Sequence, residues 1–131
     1  MFVDASALTA MLANENDAPD LLGRMSQYSE RTTSPLSVWE TSVALARILK
    51  LEISDAGDVV ERFLRLMNIE VREVSPEARF LALEAFARFG EGRHKAALNF
   101  GDCFAYACAR QFGAPLLYKG DDFSQTDIQA A

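Results

Sequence analysis

The sequence predicts an α/β fold: a single domain over residues 1–131 with a short parallel sheet of roughly four to five strands sandwiched between helices. Three observations carry this. Short apolar runs alternate along the chain with stretches of helical periodicity, as in strands joined by crossover helices. Half of the 131 residues are hydrophobic and ten per cent are aromatic, enough for one ordinary core. Acids also recur where a run ends or a helix begins, at Asp4, Glu40, Asp102 and Asp121-Asp122. In a parallel sheet, strand C-termini and the helix N-termini that follow them share one edge, and such folds place their sites there.

Taken in order, Met1 to Val3 is a very short strand closed by Asp4, and Ser6 reads as the N-cap of a helix over 7–12. Asn14 to Asp20 is a polar break, from which Pro19 starts a second helix running to about Ser29. The Thr-rich segment Arg31 to Ser34 fits a second strand. Pro35 and Ser37 open a long helix, with Leu36, Trp39, Val43, Ala46 and Leu49 or Lys50 at helical spacing. Ser54 or Asp55 caps another helix reaching about Met67, its buried stripe being Val59, Val60, Phe63, Leu64 and Met67. Ile69 to Val74 alternates apolar and charged residues, the pattern of a half-exposed strand. Ser75-Pro76 begins a helix rich in Ala, Leu and Phe that ends near Gly90. A basic loop follows to Asn99, which caps a helix carrying Asp102 and stopped by Gly113. Pro115 to Tyr118 is the fourth strand, leading into Gly120-Asp121-Asp122-Phe123.

The formal net charge of −6 argues against nucleic-acid binding through a simple basic patch. It is compatible with a metal-dependent nuclease, in which part of the negative charge is the ligand set itself. The single histidine, His94, removes most zinc sites and any histidine-based nucleophilic catalysis that does not pass through it. No phosphate-binding loop of the GxxxxGK[ST] or GxGxxG kind occurs. Cys103 and Cys108 diverge on one helix and read as small core residues of a reducing compartment. With no membrane span or signal segment in view, a cytoplasmic location is expected.

Each acid has an ordinary explanation. Glu40 completes a capping box with Ser37, Asp102 sits in the favourable first turn of a helix, and Asp121-Asp122 are turn residues. Asp4 directly follows an apolar strand and needs a partner for its charge if buried. Four such explanations at the same sheet edge are less economical than one. Carboxylates gathered without matching Lys or Arg repel one another unless a hard divalent cation holds them. The expected chemistry is phosphoryl transfer with Mg²⁺ or Mn²⁺. Arg93, His94 and Lys95 form a charged loop, which is ordinarily solvated; their functional reading is contact with substrate phosphates.

The segments Val3-Asp4-Ala5-Ser6-Ala7-Leu8, Trp39-Glu40, Gly101-Asp102-Cys103-Phe104-Ala105-Tyr106-Ala107 and Pro115 through Phe123 resemble PIN domains, and more closely the VapC-type toxins of bacterial toxin–antitoxin pairs. The resemblance spans essentially the whole chain. It implies a Mg²⁺- or Mn²⁺-dependent endoribonuclease toxin that cleaves RNA by metal-activated water and is neutralised by a VapB-type antitoxin. Asp4, Glu40 and Asp102 match the family's three main acids, and either Asp121 or Asp122 matches the fourth, with Asp121 preferred. Ser6 matches a small hydroxyl residue in a supporting role. The resemblance further implies a homodimer, and an antitoxin that inserts a basic residue into the acidic pocket.

Two other readings compete. A PIN-like module without activity would keep the partner and lose the chemistry, but the acid set is intact. A receiver-type Mg²⁺-binding signalling domain would account for Lys119 after a late strand. It wants paired acids after the first strand, where Asp4 stands alone, and a phospho-acceptor aspartate after the third, where Glu70-Val71-Arg72-Glu73 offers none.

Overall fold

The computed structural model describes residues 1–131. Four strands, β1 (Phe2–Val3), β2 (Thr32–Thr33), β3 (Glu70–Val71) and β4 (Leu116–Leu117), form one sheet in the order β3-β2-β1-β4. All pairings are parallel, with Phe2 in register with both Thr32 and Leu116. Each strand is only two residues long, and flanking backbone bonds extend the ladder: Asp4 N–H donates to the Leu117 carbonyl at 2.9 Å, and Arg72 N–H to that of Thr33 at 2.9 Å.

Strand alternation divides the core. Phe2 and Leu116 point to one face, where they pack with Tyr106, Leu98, Phe89 and the alanines of α5 (Ala78–Phe89) and α6 (Phe100–Gln111). Val3 and Leu117 point to the other, into a cluster with Leu8, Leu21, Met25, Leu45, Val60 and Leu64. Those residues belong to α1 (Ala5–Leu12), α2 (Ala18–Ser26), α3 (Pro35–Leu49) and α4 (Ile53–Leu66). Because β1 and β4 are buried on both faces, they read as apolar runs rather than alternating ones. None of the helices is long and apolar enough to cross a membrane.

The expected elements are present, with informative differences at their ends. The first helix begins at Ala5, not Ala7: its cap is Asp4, whose carboxylate accepts from the Ser6 N–H, so Ser6 is inside the helix. The long third helix is capped by Ser34, whose Oγ accepts from Ser37 N–H at 3.1 Å. The capping box expected between Ser37 and Glu40 is therefore not formed. Pro35 explains this, since a residue with fixed φ and no N–H to place favours the first helical position. No side chain caps α4, whose cap position is Glu52 rather than Ser54 or Asp55. Residues 69–74 supply only two residues of strand, both exposed, because β3 is the sheet edge. The basic loop is pinned at its ends by a parallel bridge between Gly90 and Leu98.

Candidate active site

Topology places the C-terminal ends of β1, β2 and β4 beside the starts of α1, α3 and α6. Asp4, Glu40 and Asp102 line one cleft of about 380 Å³ there, together with Ser6, Asn99, Glu15, Arg47 and Lys119.

Each acid is positioned by its own local structure. Asp4 is 3 % exposed. Its Oδ2 caps α1 by accepting from the Ser6 backbone at 2.9 Å and the Ser6 hydroxyl at 2.5 Å. That hydroxyl in turn accepts from Lys119 N–H at 3.0 Å, so the segment after β4 braces the acid that follows β1. Asp102 does form a capping box: its Oδ2 accepts from Asn99 N–H, and Asn99 Oδ1 accepts from Asp102 N–H, each at 2.9 Å. One carboxylate oxygen is occupied by the cap, which holds the side chain at the helix start. Glu40, by contrast, makes no capping bond, and its carboxylate lies directly over Gly101. A Cβ built on Gly101 would fall on Glu40 Oε1 and within 2.6 Å of its Cδ. Glycine at 101 is what lets the Glu40 carboxyl approach the start of α6.

The electrostatics follow from burial and like charge. Desolvation, then the charges of Asp4 and Asp102, push the Glu40 carboxyl up to about 7. Asp102 is pushed up to about 6, chiefly by burial and also by Asp4, Asp122 and Glu91, against the lowering effect of the Asn99 N–H. Burial also raises Asp4, opposed by its bonds from Ser6. No Lys or Arg pairs with any of the three; the cleft's Lys119 pairs instead with Glu15 and with Asp17, the latter at 3.5 Å.

Oxygen-only donors with mutually raised carboxyls, lacking a protein cation, suit a hard divalent ion. As they stand, no three of the acids converge closely enough to hold one.

The other residues singled out in the sequence lie elsewhere. Asp121 and Asp122 are exposed, beyond the Gly120 turn (φ 93°), and neither lines the cleft. Of the two, Asp122 is the one whose charge reaches Asp102. The Asp121 carbonyl accepts from the Ser124 hydroxyl at 2.6 Å, a turn contact. Arg93, His94 and Lys95 do not line the cleft: the Arg93 guanidinium lies 5.5 Å from the Phe86 ring centre, and His94 stacks edge-on against Phe89 at 5.4 Å. Arg47 and Lys119 do line it; Arg47 was not singled out, and Lys119 only as a point of likeness to receiver domains. Arg47 falls two turns beyond Glu40 on the same face of α3, which helical spacing alone would have revealed.

A family model described as "PIN domain" matches residues 1–129. The chain belongs to the PIN-domain family. Its relatives carry the VapC name. "Ribonuclease VapC" of Mycolicibacterium smegmatis is 37 % identical over 130 residues, covering 99 % of this chain and 98 % of its own. "VapC ribonuclease R02377" of Rhizobium meliloti is 37 % identical, covering 97 % and 98 %. "Ribonuclease VapC30" of Mycobacterium tuberculosis is 35 % identical, covering 98 % and 95 %. The same PIN fold is seen in the crystal structure of Mycobacterium tuberculosis VapC20, titled a sarcin–ricin loop cleaving toxin. It superposes with a TM-score of 0.76 at 21 % identity, covering 99 % of this chain and 97 % of that one.

Proposed function

We propose that this PIN domain is a divalent-metal-dependent endoribonuclease, the toxin of a VapBC pair. The observation that carries the reading is the site itself: three carboxyls on one cleft, two pushed up to about 7 and about 6, with no protein cation paired to them. The VapC ribonuclease relatives, matched along nearly their full length, supply the substrate class.

Asp4 and Asp102 are rigid, each tied into a helix cap, and present carboxylate oxygens for Mg²⁺ or Mn²⁺. Glu40, on a longer side chain without a cap bond, orients the attacking water in line with the scissile phosphate. Asp122 is the fourth acid in preference to Asp121, because its charge acts on Asp102. Ser6 holds Asp4 through its hydroxyl. When bound, a divalent cation neutralises charge on the phosphate and lowers the pKa of the attacking water.

The partners fit the surface. Trp39, Val43, Ile48, Leu49 and Ile53 are exposed along α3 and the start of α4, and Ile48 itself lines the cleft. An apolar antitoxin segment laid there would bring a basic side chain to the carboxylates. A second apolar face, Phe80, Leu83, Phe86 and Phe100 on α5 and α6, suits a homodimer. Leu83→Glu is expected to shift the purified chain toward monomer in light scattering; an unchanged mass would remove this face from the dimer.

The deciding experiment incubates end-labelled bulk tRNA and ribosomal RNA with the antitoxin-free chain in Mg²⁺, Mn²⁺ or EDTA. Discrete products in either metal, absent with EDTA and with Asp4→Asn, are expected. Folded protein that cuts none of these RNAs would leave a partner-binding module as the better reading.

A further inference from the structure

A nuclease with a net charge of −6 must still hold a polyanion, and the cleft contains the means. Its two cations are Arg47 and Lys119. Arg47 extends from α3, exposed, with no ion pair or side-chain hydrogen bond. Lys119 follows β4; its backbone braces Ser6, and its side chain is engaged by Glu15 and Asp17 of the α1–α2 loop. Beside the cleft lies a second polar recess of about 620 Å³, lined by Glu15, Asn16, Asp17 and Lys119. The two share Glu15 and Lys119 as lining residues, so they adjoin at that ion pair.

A cleft that carries two cations beside its carboxylates suits a phosphodiester chain. Contacts to phosphates by Lys and Arg set register and supply most sequence-independent affinity. The pairing of Lys119 with two carboxylates has a direct consequence, because the same ammonium cannot fully serve those acids and a phosphate. We propose that Arg47 and Lys119 bind RNA phosphates on either side of the scissile one, and that Glu15 and Asp17 compete with the RNA for Lys119. The proposal rests on the ribonuclease reading above and adds the residues that seat the substrate.

The test is filter binding of end-labelled bulk tRNA at two salt concentrations, with Asp102→Asn as the parent so that RNA stays intact. Arg47→Ala and Lys119→Met are each expected to weaken binding roughly 5- to 10-fold at the lower salt and to reduce the salt slope by about one. Arg47→Lys and Lys119→Arg are expected to restore most of it. Glu15→Gln combined with Asp17→Asn breaks the same ion pairs as Lys119→Met but frees the ammonium, so it is expected to tighten binding. If the Glu15/Asp17 double variant weakens binding as Lys119→Met does, Lys119 merely fastens the α1–α2 loop and the proposal fails. It fails equally if both neutral variants bind like the parent. Cleavage by the unsubstituted chain, run alongside, separates the two levels. Cleavage with unchanged binding in the variants overturns the phosphate contacts alone, whereas a folded chain that cuts no RNA overturns the ribonuclease reading beneath them.

Discussion

Asp102→Asn and Glu40→Gln are expected to make the metal-free protein more stable at pH 8 while lowering cleavage by roughly 100-fold or more, the scale of losing a group that stabilises transition-state charge. Both effects have one origin. The carboxyls of Glu40 and Asp102 have folded-state values of about 7 and about 6, above their ordinary 4.5 and 3.8. The folded chain thus holds protons that the unfolded chain has released. The penalty is absent below about pH 4, where both states are protonated, grows as the pH rises, and is complete above about pH 7. With partial screening allowed for, each carboxyl costs on the order of 2 kcal/mol at pH 8, or about 5 °C in Tm for a domain of this size. The amide keeps an acceptor for the Asn99 N–H, so the α6 cap survives in Asp102→Asn. Thermal melts between pH 5 and 8 in EDTA check the sign: the unsubstituted chain is expected to gain stability on acidification, and the two variants to gain less. A variant that melts lower at pH 8 would mean that burial and neighbouring charge do not penalise the ionised carboxyls. Saturating Mg²⁺ or Mn²⁺ is expected to raise the Tm of the unsubstituted chain at pH 8, and to do so less in the variants.

Gly101→Ala is expected to abolish most cleavage while leaving the fold nearly as stable. Ordinarily alanine inside a helix gains about 1 kcal/mol over glycine. Here its Cβ would collide with the Glu40 carboxylate. That group is the end of a flexible side chain, so it swings away at little cost in folding energy, and the damage falls on its position over the cleft. A displacement of about 1 Å at a reacting group is enough for a roughly 100-fold loss. Gly90→Ala makes the contrast: its Cβ would strike the Phe86 carbonyl and lie 2.5 Å from the Phe86 ring, so that variant is expected to lose stability. Melts and cleavage rates of the two variants measure the difference; a Gly101→Ala protein of full activity would place Glu40 outside the chemistry.

Much of this was legible in the chain. Asp4, Glu40 and Asp102 could be assigned to one edge because a parallel α/β order leaves strand ends and helix starts no other place to meet. The caps were less legible. Ser37 and Glu40 have the spacing of a capping box, yet Ser34 and Pro35 start α3 one turn earlier, so local pattern was outcompeted by a better local pattern. Losing that box is what frees Glu40. The charged loop of Arg93, His94 and Lys95 looked as suited to phosphates as any segment, but its bridge to Leu98 and its stacking on Phe86 and Phe89 tie it to α5.

The sequence by itself determined the element order, the two buried strands β1 and β4 and the acids at the ends of strands and starts of helices, since hydrophobic period and acid placement are properties of neighbours along the chain. Only the tertiary structure decided that Arg47 and Lys119 line the same cleft as those acids, that Lys119 is held by Glu15 and Asp17, and that Glu40 rests on Gly101. Lys119 lies 104 residues from Glu15, and Glu40 far in sequence from Gly101. Such contacts are set by how α1, α3 and α6 pack around β1, and no local period records them.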